Sequence, residues 1–261
     1  MRELGLTQAT AHAILTTLCD RGWLTRDPAD KMFSLGPALS LVAERADVSR
    51  PMAQAARKAA QQLSHELGYP GSVVERVGDA MVITGYEEAD VRQRPVTGGR
   101  IPYAPPFGVA FAAWDTREQQ RAWVQRAAAG NAALTRRLEQ VLARTRERGF
   151  DVDWTTPALA QAAQVVGTLQ RDGMPAHVRK IMDQLVVEYT TIGFLSDDDP
   201  AREARPIATI AAPVFSHRQR VALIVCVHPF RALTSRQVSS IGRRLTRAAT
   251  TVSTRSASLV V

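Results

Sequence analysis

The sequence is poor in the features that mark membrane, secreted and metal-binding proteins. No apolar run reaches the roughly 18 residues that a membrane-spanning helix needs, and the opening MRELGLTQAT lacks the apolar core of a signal peptide. Only two cysteines occur, Cys19 and Cys226, which favours free thiols in a reducing cytosol over a disulfide. The five histidines form no close pairing typical of a zinc site. We therefore expect a cytoplasmic protein with no membrane segment, no cofactor and no metal.

Basic residues exceed acidic ones, but unevenly. The formal net charge is +8, which indicates an acidic partner, and nucleic acid is the commonest one. Residues 1–68 hold eight basic and seven acidic side chains, whereas residues 202–261 hold ten basic and one acidic. The excess therefore lies at the C-terminal end, where a solvated arginine-rich helix face explains it as well as DNA does. Charge alone does not locate a DNA site.

The start of the chain predicts a capped helix followed by a hairpin. Thr7 is a suitable N-cap, and Gly22 can take the left-handed conformation that ends a helix. Between them, residues 8–21 carry apolar side chains at helical spacing. Residues 23–26 and 31–35 then alternate around the turn residues 27–30, as strands of a hairpin do. A helix with a hairpin directly after it is the arrangement of a recognition helix and its wing.

Six side chains of this segment are candidate DNA contacts. Short polar side chains near the start of a helix let its backbone approach base edges in the major groove, and its first residues can bind phosphate at the positive end of the helix dipole. Basic side chains on the hairpin can grip the DNA backbone or minor groove. The candidates are Thr7, Gln8, Thr10, His12, Arg26 and Lys31. Two alternatives stay open: such a segment also occurs in proteins that bind no DNA, and His12 can pack under the hairpin.

The remaining chain mixes helices with strands. Apolar periodicity and turn residues predict helices at 37–48, 51–67, 107–113, 117–128, 133–148, 157–170, 177–185 and 234–253, and strands at 72–77, 80–86, 100–103, 207–215 and 221–227.

The order and spacing of several motifs resemble the IclR family of transcriptional regulators. The motifs are LGLTQATAH, RGWL and FSLGP near the start, then GRIPY, RERGF and IAAPVF. The resemblance implies an α+β fold, with an N-terminal winged helix-turn-helix and linker helix in residues 1–48 and a GAF-like mixed α/β effector-binding domain in residues 49–261. It also implies a transcriptional regulator that is not an enzyme and that meets palindromic operators as a homodimer or tetramer.

Three departures from the family pattern matter. The chain begins within the family's second helix, so either translation starts upstream or the three-helix DNA-binding core is incomplete. Gln8 and Ala13 stand where the family often has basic residues, which predicts fewer phosphate contacts and a shallower salt dependence. An insertion around 151–205 interrupts a link that is usually short, and it can cover the pocket or add an interface.

The resemblance also places an effector pocket in the second domain. The family's pocket loop is here Pro-Pro-Phe-Gly-Val, and its two serines on the penultimate strand align with Val225 and Val227. Such a pocket favours an apolar or aromatic effector; alternatively, the bulky side chains fill it and no ligand binds. The candidate contacts are Tyr103, Phe107, Thr209, Val225 and Val227.

Two other functions are compatible with the residues. The main alternative is a ligand-sensing or interaction module that no longer binds DNA. An enzyme is third: Cys226 and His228 share a face of a predicted strand and resemble a nucleophile with its base. No third group stands at a recognisable spacing, and we therefore expect no catalytic activity.

Overall fold

The computed structural model describes residue 5 and residues 7–87, 100–128, 130–154 and 204–257. They belong to two compact units, Met1–Pro51 and Met52–Val261. The helices predicted at 157–170 and 177–185, and nearly all of the predicted insertion, lie outside the described residues. In the described part, no helix combines the length and the apolar character needed to cross a membrane. That DNA binding and effector binding divide at residues 48 and 49 stays a prediction.

The N-terminal unit is a helix, a two-stranded hairpin and a second helix. Thr7 caps the first helix, because its hydroxyl oxygen accepts from the Thr10 backbone N–H at 3.2 Å. At the other end of the helix, Gly22 has a φ of +68°. The Gly22 N–H donates to the Cys19 carbonyl, and the Trp23 N–H donates to the Leu18 carbonyl. This is a Schellman motif, which satisfies the last carbonyls of a helix. The elements are α1 (Gln8–Asp20), β1 (Leu24–Arg26), β2 (Phe33–Leu35) and α2 (Ala38–Val48).

Gly36 fixes the hairpin against the end of α1. Its N–H donates to the Trp23 carbonyl at 2.8 Å, and a Cβ atom at this position would overlap the carbonyl oxygen of Gly22. Gly36 is also the only buried residue among those described in this unit. The close approach therefore requires glycine.

The second unit contains helices on both faces of an antiparallel sheet. Its helices are α3 (Pro51–Leu67), α4 (Val109–Ala112), α5 (Arg117–Ala128), α6 (Ala132–Arg148) and α7 (Ser235–Ala257). Its strands are β3 (Gly71–Val77), β4 (Ala80–Glu87), β5 (Arg100–Pro102), β6 (Asp151–Trp154), β7 (Arg205–Phe215), β8 (Val221–Val227) and β9 (Arg231–Leu233). The sequence did not predict β6 or β9.

The sheet has the order β5-β4-β3-β8-β7-β6, and β9 pairs with the beginning of β7. Helices α3 and α7 cover one face of it, and α4, α5 and α6 cover the other. Because side chains alternate along a strand, Val225 joins the core of the α3/α7 face, whereas Ile224 and Cys226 join that of the α4–α6 face.

Helix α7 begins with a reciprocal cap. The Thr234 hydroxyl oxygen accepts from the Gln237 N–H at 3.3 Å, and the Gln237 side-chain oxygen accepts from the Thr234 N–H at 2.9 Å. This capping box satisfies two free amides and explains why the helix starts where the sequence predicted.

Candidate nucleic-acid interface and effector site

The predicted recognition residues of α1 are exposed, but they lie on two sides of the helix. Gln8 and His12 are four residues apart and therefore share a face. Thr10 lies elsewhere: its hydroxyl oxygen is 2.8 Å from that of Thr7. Two polar faces thus flank the start of α1, one formed by long side chains and one by a pair of hydroxyls.

The hairpin presents its two basic residues close to its turn. Arg26 is opposite Phe33 in the strand register, and its guanidinium lies 5.5 Å from the centre of that ring. Lys31 has a φ of +60° in the turn. The turn is fixed by Asp27, whose side-chain oxygen accepts from the Ala29 N–H at 2.7 Å, an arrangement typical of a compact Asx-type turn. Both basic side chains are exposed.

The electrostatics at the start of α1 suit an anion. The first turn contains no acidic residue, so nothing there neutralises the positive end of the helix dipole. Exposed backbone amides at such an end bind phosphate oxygens. The segment can therefore place phosphate at Thr7 and base edges at Gln8 and His12.

Tyr103 and Phe107 are held by contacts within the second unit. The Tyr103 hydroxyl donates to the Asp115 carboxylate at 2.7 Å, and the Arg76 guanidinium lies 3.9 Å from the ring centre. Burial and the Asp115 charge raise the pKa of Tyr103. Phe107 is partly buried, and its carbonyl accepts from the Trp123 indole N–H at 3.1 Å. The polar groups of this pair are thus already engaged.

Thr209 lies far from that pair. The Tyr103 N–H donates to the Asp79 carbonyl, just beyond the C-terminal end of β3. Thr209 instead contacts His228, and His228 contacts Ser72 near the N-terminal end of β3. These two ends are five residues apart, which is about 16 Å along a strand. The structure therefore does not bring Thr209 to Tyr103.

Val225 and Val227 lie on the opposite face of the sheet from Tyr103. Both are fully buried in the core of the α3/α7 face, and Val225 is paired with Val73 and Ala212. The side chains of β8 that face the α4–α6 layer are those of Ile224 and Cys226. The five predicted effector contacts consequently do not form one site.

A group that we call the His228 cluster lies at the end of β8. The His228 Nε2 is 2.9 Å from the Ser72 hydroxyl, and its Nδ1 is 3.0 Å from the Thr209 hydroxyl. The imidazole stacks with Tyr86 and with Phe230, whose ring centroids are 6.0 and 5.8 Å away. Burial lowers the pKa of His228 to about 4, so the ring is neutral at pH 7, with one nitrogen donating and the other accepting.

Carboxyl and thiol groups adjoin the cluster on the same face. Cys226 is paired with Ser72, and Asp153 is paired with Thr209. Burial raises the pKa of Cys226 to about 12, which keeps the thiol protonated and unreactive. Burial and the nearby Asp151 charge raise the pKa of Asp153 well above its usual value.

The sequence singles out Cys226 and His228 only as a weak catalytic pair. The sequence places both on one face of the strand, but it does not show that β3 lies beside β8 and brings Ser72 to them. In the described ranges, no three His, Cys, Asp or Glu side chains are grouped to hold a metal ion.

A comparison with protein-family models agrees with the helix at the start of the chain. Residues 1–28 match the model of the IclR helix-turn-helix domain. A comparison with curated protein sequences finds no match.

Solved structures match the chain over nearly its whole length. An IclR transcriptional regulator from Alicyclobacillus acidocaldarius matches with a TM-score of 0.66 and 21% identity, covering 98% of this chain and 88% of that one. HmgR from Pseudomonas aeruginosa matches with a TM-score of 0.64 and 17% identity, over 97% and 87%. The IclR of Thermotoga maritima gives a TM-score of 0.61 and 13% identity, over 98% and 88%.

The fold is similar to that of these solved structures, and its curled sheet with helices on both faces is consistent with a GAF-like mixed α/β domain. The predicted α+β class is confirmed. The resemblance to the IclR family is confirmed as well, by the helix-turn-helix match and by the structural similarity.

Proposed function

We propose that this chain is a DNA-binding transcriptional regulator whose affinity for its operator is altered by a small-molecule effector. The observation that carries the proposal is that the stretch matching the IclR helix-turn-helix domain contains the whole of the capped, exposed helix α1. A helix of this kind fits the major groove and reads base edges with its side chains. The protein acts in the cytoplasm, where its operator is located, and it catalyses no reaction.

Each predicted DNA contact has a distinct task in this proposal. Gln8 and His12 read base edges, since they share one face of α1. Thr7 binds phosphate at the positive end of the helix, and Arg26 and Lys31 contact the DNA backbone beside the groove. Thr10 contributes through its hydroxyl contact with Thr7 and through the second polar face of the helix.

The effector binds beside the His228 cluster. The neutral imidazole and the two aromatic rings stacked on it favour a flat, largely apolar or aromatic molecule, and the partly exposed Thr209 hydroxyl favours one polar substituent on it. Of the five contacts predicted from the sequence, Thr209 belongs to this cluster. The effector acts by population shift, because a ligand changes DNA affinity only if it binds the DNA-competent and incompetent arrangements differently.

The regulator works as a homodimer or tetramer. Two symmetric recognition helices would meet two half-sites of a palindrome. Light scattering of the purified chain measures the assembly, and a monomer at the concentrations of DNA binding would contradict this part of the proposal.

The test of DNA binding begins with selection of duplexes from a random-sequence library by the full chain. We expect an enriched palindromic sequence. Titration of that duplex should then show weaker binding by Thr10→Ala/His12→Ala, with binding of unselected duplex unchanged. Thr16→Ala, at another exposed position of α1, is the control. Failure to enrich any sequence, or full affinity in the double variant, would overturn the assignment of α1 as a recognition helix.

A ligand-sensing or interaction module without DNA binding is the second candidate. It is favoured by large apolar side chains on the surface of the N-terminal unit, among them Leu35 and Leu41, which are 80% and 63% exposed. Apolar surface of this extent is typical of protein interaction sites. The selection experiment separates the two candidates, because this module would enrich no duplex.

A further inference from the structure

The outer surface of α7 carries a straight row of arginines. Val238, Ile241 and Leu245 point into the core of the α3/α7 face, which leaves the opposite side of the helix exposed. On that side lie Arg236, Arg243 and Arg247, seven and four residues apart, and we call these three the arginine row. At a rise of 1.5 Å per residue they are separated by about 10 Å and about 6 Å along the helix axis.

The charge around the row is strongly one-sided. Residues 204–261 contain nine arginines and no aspartate or glutamate. Across the groove between α3 and α7, Glu66 forms an ion pair with Arg244, so that acid is already engaged. Among the described residues, no acidic side chain contacts the arginine row. The positive charge of the row is therefore not neutralised within this part of the chain.

The row does not stabilise the helix that bears it. Arg243 and Arg247 are like charges four residues apart, which repel each other on a helix surface. Arg236 lies in the first turn, where the positive end of the dipole disfavours a cation. Arginines that are unfavourable within their own helix become favourable when an external polyanion lies along them.

The neighbouring side chains fit a duplex rather than a single strand. The residues between and beyond the arginines on the exposed side are short: Ser240, Thr250, Thr251 and Thr254. The threonine hydroxyls donate to carbonyls of their own helix. No aromatic side chain occurs in α7, and single strands are bound mainly by stacking of bases on aromatic rings. A flat row of cations can instead follow a phosphate backbone.

The surface continues beyond the row on the side of α3. A groove of about 230 Å³ separates α7 from α3 and is lined by Gln62, Glu66, Arg244 and Arg247. On α3, the exposed Lys58 lies one turn from Gln62. The C-terminal part of α7 contacts the end of β7, where the Ser253 hydroxyl oxygen accepts from the Phe215 N–H at 2.9 Å.

We propose that the arginine row, with Lys58 beside it, is a second contact surface for the phosphate backbone of duplex DNA. Guanidinium groups bind phosphate oxygens in pairs of hydrogen bonds, and each neutralised phosphate releases counterions from the duplex. The contact carries no sequence information. It raises the affinity for any duplex, and it is separate from whatever α1 reads.

The salt dependence of binding to a random-sequence duplex tests the proposal. The variant Arg236→Gln/Arg243→Gln/Arg247→Gln removes three charges while glutamine keeps a high helix propensity. We expect the slope of log affinity against log salt concentration to fall by about 2 to 3, since each lost phosphate contact contributes about 0.9. Circular dichroism and thermal unfolding confirm that the variant is folded.

The matched control removes three exposed arginines from the helices on the other face of the sheet. Arg117→Gln/Arg121→Gln/Arg137→Gln makes the same change in net charge, and we expect its slope to stay within about one half of the wild-type value, because long-range charge effects are screened. Equal losses in both triple variants, or no loss in the first, would overturn the proposal.

Two further measurements distinguish a duplex-binding surface from an acidic-protein site and from the contribution of α1. Polyglutamate that binds as tightly as the duplex, with the same dependence on the arginine row, would identify an acidic protein as the partner and contradict the assignment to DNA. When Thr10→Ala/His12→Ala is already present, removing the three arginines of the row should lower the salt slope by the same amount as it does in the wild-type background. Failure of sequence-specific recognition by α1 would therefore leave this result intact.

Discussion

Gly242 is the residue that allows α7 to pack closely against the core of the second unit. It lies in the interior of the helix, where glycine lowers stability by about 1 kcal/mol relative to alanine. A Cβ atom there would overlap the buried ring of Phe150. The local cost of glycine is thus offset by packing of the ring against the helix backbone.

Gly242→Ala should therefore destabilise the second unit although it improves helix propensity. Overpacking a core costs about 1–3 kcal/mol, which exceeds the gain of about 1 kcal/mol from propensity. Urea denaturation should show a net loss of about 1–2 kcal/mol. Ser240→Ala, at an exposed position in the same helix, should change stability by less than about 0.5 kcal/mol. A stabilised Gly242→Ala variant would contradict the close contact with Phe150.

The pKa of His228 predicts how stability depends on pH. The folded protein holds this pKa at about 4, whereas an unfolded histidine titrates near about 6.5. Between these values the unfolded chain binds a proton that the folded chain does not, so stability falls as the pH drops through this window. From about pH 7.5 to about pH 5 the loss from this group is about 2 kcal/mol.

His228→Phe should remove that loss, because phenylalanine keeps the stacking and cannot be protonated. The measurement compares the free energies of unfolding of wild type and variant at the two pH values, so that carboxyl titrations common to both cancel. His217→Gln, at an exposed position, should behave like wild type. A variant that loses as much stability as wild type would show that His228 is not the titrating group.

The direction of individual side chains is the part that the sequence does not supply. In β8 every residue from Leu223 to Val227 is buried, so the apolar run shows no alternation from which to assign faces. Val225 and Val227 are therefore predicted as pocket residues, although they belong to the core under α3 and α7. Only the register with Ser72 and Ala212 fixes the two faces of the strand.

At the scale of elements, α1 and its hairpin are predictable because each boundary has its own local chemistry. Thr7 begins the helix, Gly22 ends it, and Asp27 fixes the turn. These signals depend on neighbours in the sequence and need no knowledge of the fold. The short strands β6 and β9 carry no such signals, since four and three residues form strands only because β7 lies beside them.

Substitutions at Thr7, the N-cap of α1, can distinguish an effect on helix stability from an effect on DNA binding. Thr7→Ala removes the hydroxyl that accepts from the Thr10 N–H and should cost about 1 kcal/mol of local stability. Thr7→Asp should keep the cap, because a carboxylate accepts the same hydrogen bond and suits the helix dipole, yet it places negative charge where DNA phosphate is proposed to bind.

We therefore expect both variants to lose DNA affinity but only Thr7→Ala to lose helix protection. Hydrogen exchange of the α1 amides reports the helix, and fluorescence anisotropy with the selected duplex reports binding. Thr7→Ser should resemble wild type in both. If Thr7→Asp bound DNA as tightly as wild type, phosphate would not be located at this helix end.

At the scale of the whole molecule, stability resides almost entirely in the second unit. Every residue of the two apolar cores comes from residue 52 onward, whereas α1 contains no buried residue. Buried apolar area supplies most of the folding free energy. The family resemblance predicts this two-part plan from motif order alone, because each motif keeps its place along the chain.

A fragment of residues 52–261 should therefore fold without the N-terminal unit. Calorimetry should show one cooperative transition within about 4 °C of the main transition of the full chain. A fragment of residues 1–51 should show little cooperative unfolding, because it buries too little apolar surface. Loss of the folded state in the longer fragment would mean that the N-terminal unit stabilises the cores.

The pairing of β3 with β8 also has a consequence for synthesis of the protein on the ribosome. Ser72 and His228 are 156 residues apart in the sequence, so β3 emerges long before the strand beside it. At about 5–20 residues per second, its edge waits roughly 8 to 30 s for that partner. An open strand edge is a template for pairing with other chains. The nascent polypeptide should therefore depend on chaperones during this interval.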